Sequence, residues 1–369
     1  MRNFLLKFVE NFSGMKKSLA ILLVAAIGFS VTAKTITNDN QLPNDAVNDI
    51  KLACDAMDLG MHDLAIQMLD SLDRIHPGTF VIPYETAYAL YLKKDYNESL
   101  NRLFPIFDHP DANGDLFSII GNCYDDKGDS SNAIKYYSMG IERFPNDGRL
   151  YVNKGICLER QQRTDEAIAT FIDGINADPY MSSNYYHLAR LLQDSNPAWS
   201  AIYAEEFLAL CFDDLERRSQ MAYLVYNPVN KLEINGKVVN LNIATEEQMK
   251  PKALMYNYTL STALKNALPF DGSDPTQISK MRKNFVELMS SKTAGNELPI
   301  IDYLKSIIDA GHWDAYASYV YTLANGEEPI GRPGPDEKKT YDFLEWLQDG
   351  HAFVPDPTKF ITQRPIIVE

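Results

Sequence analysis

At 369 residues the chain is longer than one hydrophobic core ordinarily supports, so two folded regions or an extended repeat array are expected. A composition of 45% hydrophobic, 23% charged and 11% aromatic residues excludes disordered and collagen-like chains. The formal net charge of −15 creates a field that repels nucleic-acid phosphates and anionic membranes, and so points to neutral, basic or apolar partners.

In chain order, Lys16-Lys17 precede an apolar run from Leu19 to Phe29, and Val31-Thr32-Ala33 follows with the small residues of a cleavage site. Residues 1–33 therefore read as a secretory signal peptide, and Met15 is a second place at which such a signal can begin. The run is shorter than the roughly 20 apolar residues that span a bilayer, so no stable membrane insertion is expected after cleavage. The expected location is exported, periplasmic or secreted. Residues 1–33 carry Arg2, Lys7, Lys16 and Lys17 against one acid, Glu10, so their removal leaves a more acidic protein.

Residues 46–215 repeat a pattern with a period of 34 residues. In 114–147, Gly121 and Tyr124 precede Ala133, Tyr137 and Pro145. One period later come Gly155, Leu158, Ala167, Phe171 and Pro179. One period earlier come Ala87, Leu90, Ser99 and Leu103, with Pro110 one residue early, and before those Ala53, Ala65, Leu69 and Pro77. One further step gives Ala189, Leu192 and Ala201, after which Glu205 and Asp213 depart from the pattern. Small residues let two antiparallel helices approach closely while large ones fill the groove between them. Asp58-Leu59-Gly60, Lys94-Asp95 and Lys127-Gly128-Asp129 supply the turns, and each proline is expected to end a second helix. No such pair buries its faces alone, so stability must come from stacking.

This spacing of small, bulky and proline residues resembles the tetratricopeptide-repeat family across residues 46–215. The resemblance implies an all-α right-handed superhelical solenoid of five helical hairpins, a non-catalytic scaffold that holds a protein or peptide segment in a concave groove. Carried over by repeat position, that groove would be lined by Tyr84, Tyr88 and Tyr91, then Asn122, Asp125 and Asp126, then Arg160, Tyr186 and Arg190. Such a surface suits apolar and basic side chains. The alternative for the tyrosines is packing against neighbouring helices. Only Asn122 fits the two-asparagine, two-lysine clamp that some members use for a terminal carboxylate.

Residues 216–350 break the period and read as a mostly helical C-terminal domain. Alternating apolar and polar residues around Asn235-Gly236 predict a β-hairpin at 231–243. Helical patterns follow near 245–267, 275–291, 299–310, 312–325 and 336–349, with Trp313, Tyr316, Tyr319 and Trp346 as core aromatics. The segment 351–369, with Pro355, Pro357 and Pro365, should be an extended tail.

Cys54, Cys123, Cys157 and Cys211 form no CxxC pair. Cys123 and Cys157 stand one period apart, on helices whose axes pack about 8–10 Å apart. A disulfide needs Cα atoms within roughly 7 Å, so free, buried thiols are expected. The six histidines lack metal-ligand spacing, and no nucleotide-binding glycine loop, metalloprotease or serine-nucleophile motif occurs. No enzyme activity, cofactor or metal is expected. Two other readings stay open: an active site within 216–369 to which the repeats recruit substrate, and a structural or assembly component of a cell envelope.

Overall fold

The computed structural model describes residues 42–195, 197–226, 275–292, 298–325 and 337–355. The signal segment 1–33, the β-hairpin expected at 231–243, the helix expected at 245–267 and the tail beyond residue 355 lie outside them. Among the described residues every regular element is helical, and no helix is long and apolar enough to cross a membrane. In chain order these are α1 (Asn44–Asp58), α2 (His62–Ile75), α3 (Val81–Leu92), α4 (Tyr96–Leu103), α5 (Gly114–Asp126), α6 (Ser130–Arg143), α7 (Gly148–Arg160), α8 (Thr164–Ala177), α9 (Ser182–Leu192) and α10 (Pro197–Leu210). Then follow α11 (Leu215–Tyr226), α12 (Pro275–Lys292), α13 (Pro299–Asp309), α14 (Trp313–Ala324) and α15 (Glu337–Trp346). They group into two compact units that divide after Asp129.

The period is visible in the backbone itself. Gly60, Lys94, Gly128 and Gln162, each 34 residues from the next, all take a positive φ, between 61° and 81°. At each, the following amide reaches back five residues to close the preceding helix. The bonds are Met61 N to Ala56 O (2.9 Å), Asp95 N to Leu90 O (2.9 Å), Asp129 N to Tyr124 O (2.8 Å) and Arg163 N to Leu158 O (3.0 Å). This is the helix stop that glycine favours, and Lys94 and Gln162 hold it at a steric cost of about 1–2 kcal/mol each. Starts recur too: Asn113 accepts from the amides of Asp115 and Leu116, and Asp147, one period on, accepts from that of Arg149.

Packing follows the sequence pattern. Ala53, Ala87, Gly121, Gly155 and Ala189 are buried on first helices, as are Ala65, Ser99, Ala133 and Ala167 on second helices, while Ala201 is half-buried. The bulky positions Leu69, Leu103, Tyr137 and Phe171 are buried as well. In the second unit the reason for glycine is explicit: a Cβ on Gly155 would stand 2.4 Å from the Phe171 ring. Leucine is the bulky residue where alanine is the small one, at Ala53 with Leu69 and Ala87 with Leu103. Tyr151 and Tyr185, again one period apart, each donate a hydroxyl hydrogen bond of 2.9 Å to the carbonyl of the closing proline before them, Pro145 and Pro179. Repeated stacking thus reproduces the same polar contact.

One expected helix end differs. α4 stops at Leu103, and Phe104–Ile106 forms a 3₁₀ turn around Pro105, so the second helix of this repeat ends well before Pro110. Pro105 has no amide hydrogen to extend the ladder.

At the fifth repeat the bulky position holds Glu205, and it too is buried, at 7% exposure. Its carboxylate is ion-paired with Arg282 on α12 and accepts a hydrogen bond from the Tyr316 hydroxyl on α14. The Arg282 guanidinium lies 5.5 Å from the Trp313 ring centroid and 5.7 Å from that of Tyr316. A buried charge is tolerable only when paired, so Glu205 ties the C-terminal helices to the last repeat. A cluster of buried side chains accordingly runs from Leu158 and Phe171 through Phe207 and Met221 to Leu304, Val320 and Phe343. Packing is continuous across residue 216, where the sequence suggested a new domain. The described C-terminal helices lie near where the sequence pattern placed them, with Trp313 and Tyr316 buried and Tyr319 and Trp346 half-buried; a π turn at Leu347–His351 leads out of α15, so the segment expected to be extended from residue 351 begins one residue later.

Gly155→Ala is expected to destabilise the protein by about 1–3 kcal/mol. Phe171→Leu should recover part of that loss by restoring the alanine–leucine pairing of the first two repeats. Chemical denaturation of both single variants and the double variant measures the coupling; strictly additive losses would mean that the two positions do not pack as a pair.

Candidate functional site

In the first unit the first helices α1, α3 and α5 bring together residues that are remote in sequence. The hydrophobic content of α3 is spread around its whole circumference, with Ile82, Ala87, Ala89 and Leu90 all buried, so it is packed on several sides. Tyr88 is the aromatic that escapes, at 38% exposure. Its ring stacks with that of Tyr91 at 6.4 Å and an interplanar angle of 18°, and Tyr91 meets Tyr96 at 5.8 Å. The Tyr91 hydroxyl donates a 2.9 Å hydrogen bond to Asp126 on α5. Burial, followed by the Asp126 bond, pushes the Tyr91 phenol above its ordinary range. Burial and then the carboxylates of Glu85 and Asp58 do the same to Tyr88.

Three residues before Tyr88 on the same helix stands the half-buried Glu85. Burial pushes its carboxyl up to about 7 against an opposing hydrogen bond with the Cys54 thiol of α1, and Asp115 of α5 adds to the rise. Burial, with Glu85 next in size, likewise drives the Cys54 thiol up to about 12. All four cysteines are free. Cys123, Cys157 and Cys211 are buried as expected, but Cys54 is only half-buried, because its position immediately after Ala53 turns it toward the tyrosine-bearing face.

The structure therefore places the expected residues of this unit unequally. Tyr88, Tyr91 and Asp126 meet at the surface. Tyr84 is buried and stacks on Phe80 at 5.5 Å, so it supports the shelf rather than offering contact area. Asn122 and Asp125 are half-buried on α5. The sequence reading missed Glu85, which sits two residues before the small position and carries no repeat signature.

In the second unit Tyr186 is also buried, donating to Gln220 at 2.6 Å, with the guanidinium of Arg217 at 4.9 Å and that of Arg190 at 5.6 Å from its ring centroid. Arg190 approaches Glu159 at 3.6 Å, as does His187 Nδ1, and the His187 ring stacks on Phe171 at 5.0 Å. The His187 imidazole, then the Arg190 charge, hold the Glu159 carboxyl below its usual range. Arg160 is exposed at the end of α7. Arg217, absent from the sequence-based set, lies on α11, where the period has already failed.

A cavity of about 40 Å³ lies beside Glu205, walled by Ile202, Met281, Phe285, Ile301 and Leu304. It has room for water and little more, and the two charged groups at its edge, Glu205 and Arg282, are paired with each other. Among the described residues no group of three His, Cys, Asp or Glu side chains is placed to hold a metal ion.

The tetratricopeptide-repeat model matches residues 115–147 and 148–180, and these two segments are tetratricopeptide repeats. Among solved structures, a thermophilic TPR protein of Thermus thermophilus is 15% identical at a TM-score of 0.41, over 49% of this chain and 98% of that one. MamA of Desulfovibrio magneticus is 15% identical at 0.35, over 45% and 92%. YrrB, described as a TPR protein with an unusual peptide-binding site, is 18% identical at 0.34, over 47% and 89%. No curated protein matches the chain.

Because native Glu85 retains its proton up to about 7 while an unfolded glutamate loses it near 4.5, the native state binds more protons between those values. Its contribution to stability is thus full below about 4.5 and is lost as the pH rises toward 7. Glu85→Gln is expected to flatten that part of the stability–pH profile. Carboxyl NMR of Glu85 giving a midpoint near the ordinary glutamate range would contradict the assignment.

Proposed function

We propose that this protein is an exported, non-catalytic scaffold that binds a neutral to basic segment of another protein along the faces presented by its first helices. The observation that carries the reading is the pair of stacked tyrosines Tyr88 and Tyr91, half-open to solvent and flanked by Asp126, Asp58 and Glu85. Tyrosines offer a large contact area at low entropic cost and are enriched where binding energy concentrates. The acidic residues suit the class of partner that the net charge of −15 favours. The repeat architecture supports the same reading, since it stacks rigid helices into extended binding surfaces.

Tyr88→Ala in the first unit should weaken capture of the bound protein from a cell extract by about 2 kcal/mol, roughly thirtyfold, with the thermal unfolding profile unchanged. Arg190→Ala tests the face of the second unit in the same way. An identical set of captured proteins from both variants would refute the assignment of these faces.

Export rests on the Lys16-Lys17 pair, the apolar run Leu19–Phe29 and the Val31-Thr32-Ala33 site. Amino-terminal sequencing of the protein purified from its native location is expected to begin at Lys34; a chain still carrying residues 16–33 would contradict cleavage.

A further inference from the structure

We propose that the Tyr88–Tyr91 shelf is a subsite for one arginine side chain of the bound segment, its guanidinium lying against the tyrosine rings with its edges turned to the surrounding carboxylates. This deepens the scaffold reading and rests on it.

The chain's own tyrosine rings accept cations, lysine at Tyr124 and Tyr136 and arginine at Tyr186, Tyr316 and Tyr319. Arg190 and Arg217 lie over Tyr186, Arg218 lies over Tyr319 at 5.4 Å, and Arg282 lies over Tyr316. In each case a carboxylate or hydroxyl is near the guanidinium: Glu159 for Arg190, Asp214 for Arg217, the Tyr319 hydroxyl for Arg218, and Glu205 for Arg282. A ring face attracts the cation while the planar N–H edge is satisfied by oxygen.

Tyr88 and Tyr91 have the same two ingredients and lack the third. Among the described residues no lysine or arginine lies over either ring. Two cations of this unit are engaged elsewhere: Lys93 pairs with Asp63 at 2.6 Å, and Lys127 donates to Asn97 at 2.6 Å and lies over Tyr124. The oxygens are supplied by Asp126, bonded to the Tyr91 hydroxyl, and by Asp58, whose charge acts on Tyr88; Glu85 adds its charge only as the pH rises past about 7. A surface with half-open rings, carboxylates from α1 and α5 and, among the described residues, no cation over its rings is complementary to a cation arriving from outside. Arginine fits better than lysine, because a planar, weakly hydrated guanidinium can stack and donate at once, whereas an ammonium must give up more water to reach the ring.

The test uses the full chain with labelled tyrosine rings, observed by NMR during titration with acetyl-Leu-Arg-Leu-amide and with its citrulline and lysine counterparts. Citrulline keeps the shape of arginine and removes the charge. The arginine peptide is expected to give saturable shifts at Tyr88 and Tyr91, binding about tenfold more tightly than the citrulline peptide. It should also bind more tightly than the lysine peptide, which general attraction to an acidic protein would not produce. Tyr88→Phe should retain the arginine preference and Tyr88→Leu should lose it, both with an unaltered backbone spectrum. Equal affinity for arginine and citrulline, with shifts still centred on Tyr88, would overturn the arginine subsite while leaving the binding face in place. Equal affinity for arginine and lysine would overturn the guanidinium assignment. Absence of saturable shifts at Tyr88 with any of the three peptides would overturn both the subsite and the shelf as a binding face.

Discussion

The constraint on which this structure depends is the closeness of two helices at one point in each repeat. Where Gly155 faces Phe171 there is no room for even one more carbon atom. The two leading repeats solve the same problem with the pairs Ala53 and Leu69, and Ala87 and Leu103, in which a slightly larger small residue is matched by a smaller bulky one. Interiors packed to near crystal density transmit such demands directly. Each pair sets how a second helix lies on its first, and the positive-φ residues at Gly60, Lys94, Gly128 and Gln162 set how the chain turns between them. With both repeated, the side chains on the outward faces of first helices recur at matching positions. That is how residues from α1, α3 and α5 come to share one surface.

The last repeat shows the same rule being broken to a purpose. Glu205 occupies the bulky position, where a carboxylate would be intolerable among hydrocarbon unless paired. Its partners are brought from more than seventy residues further along, Arg282 on α12 and Tyr316 on α14. A solenoid must end somewhere, and an apolar last face would be exposed to water. Here the end is closed by helices carrying Met221, Leu304, Val320 and Phe343 into the same core as Phe171 and Phe207. The ion pair favours closure by these helices, because they present a buried cation and a hydroxyl to Glu205.

The two units use tyrosine in contrasting ways. In the second, Tyr186 is buried and its ring is taken by the chain's own arginines; in the first, Tyr88 and Tyr91 are stacked on each other and flanked by acids. Aromatic rings, guanidinium groups and carboxylates thus recur in the same combination. The difference is that, among the described residues, only the Tyr186 arrangement has a cation of the chain over its ring.

Much of this was legible in the sequence. The period of 34, the small and bulky positions, the turn glycines and the C-terminal helices all follow from local steric and hydrophobic demands that act on a residue and its near neighbours. Tyr88, Tyr91 and Asp126 came from the positions that the family resemblance carries over, which equally picked Tyr84 and Tyr186, both buried. The end of α4 at Leu103 was not legible, since two prolines compete to stop that helix and only the fold decides which acts. Nor could sequence tell that Tyr84 would be buried under Phe80, that Cys54 would meet Glu85, that Arg217 would reach Tyr186, or that Glu205 would find Arg282. Those outcomes depend on helices distant in sequence arriving side by side. The energy of a buried charge or of a stacked ring is a property of that arrival and of no single segment.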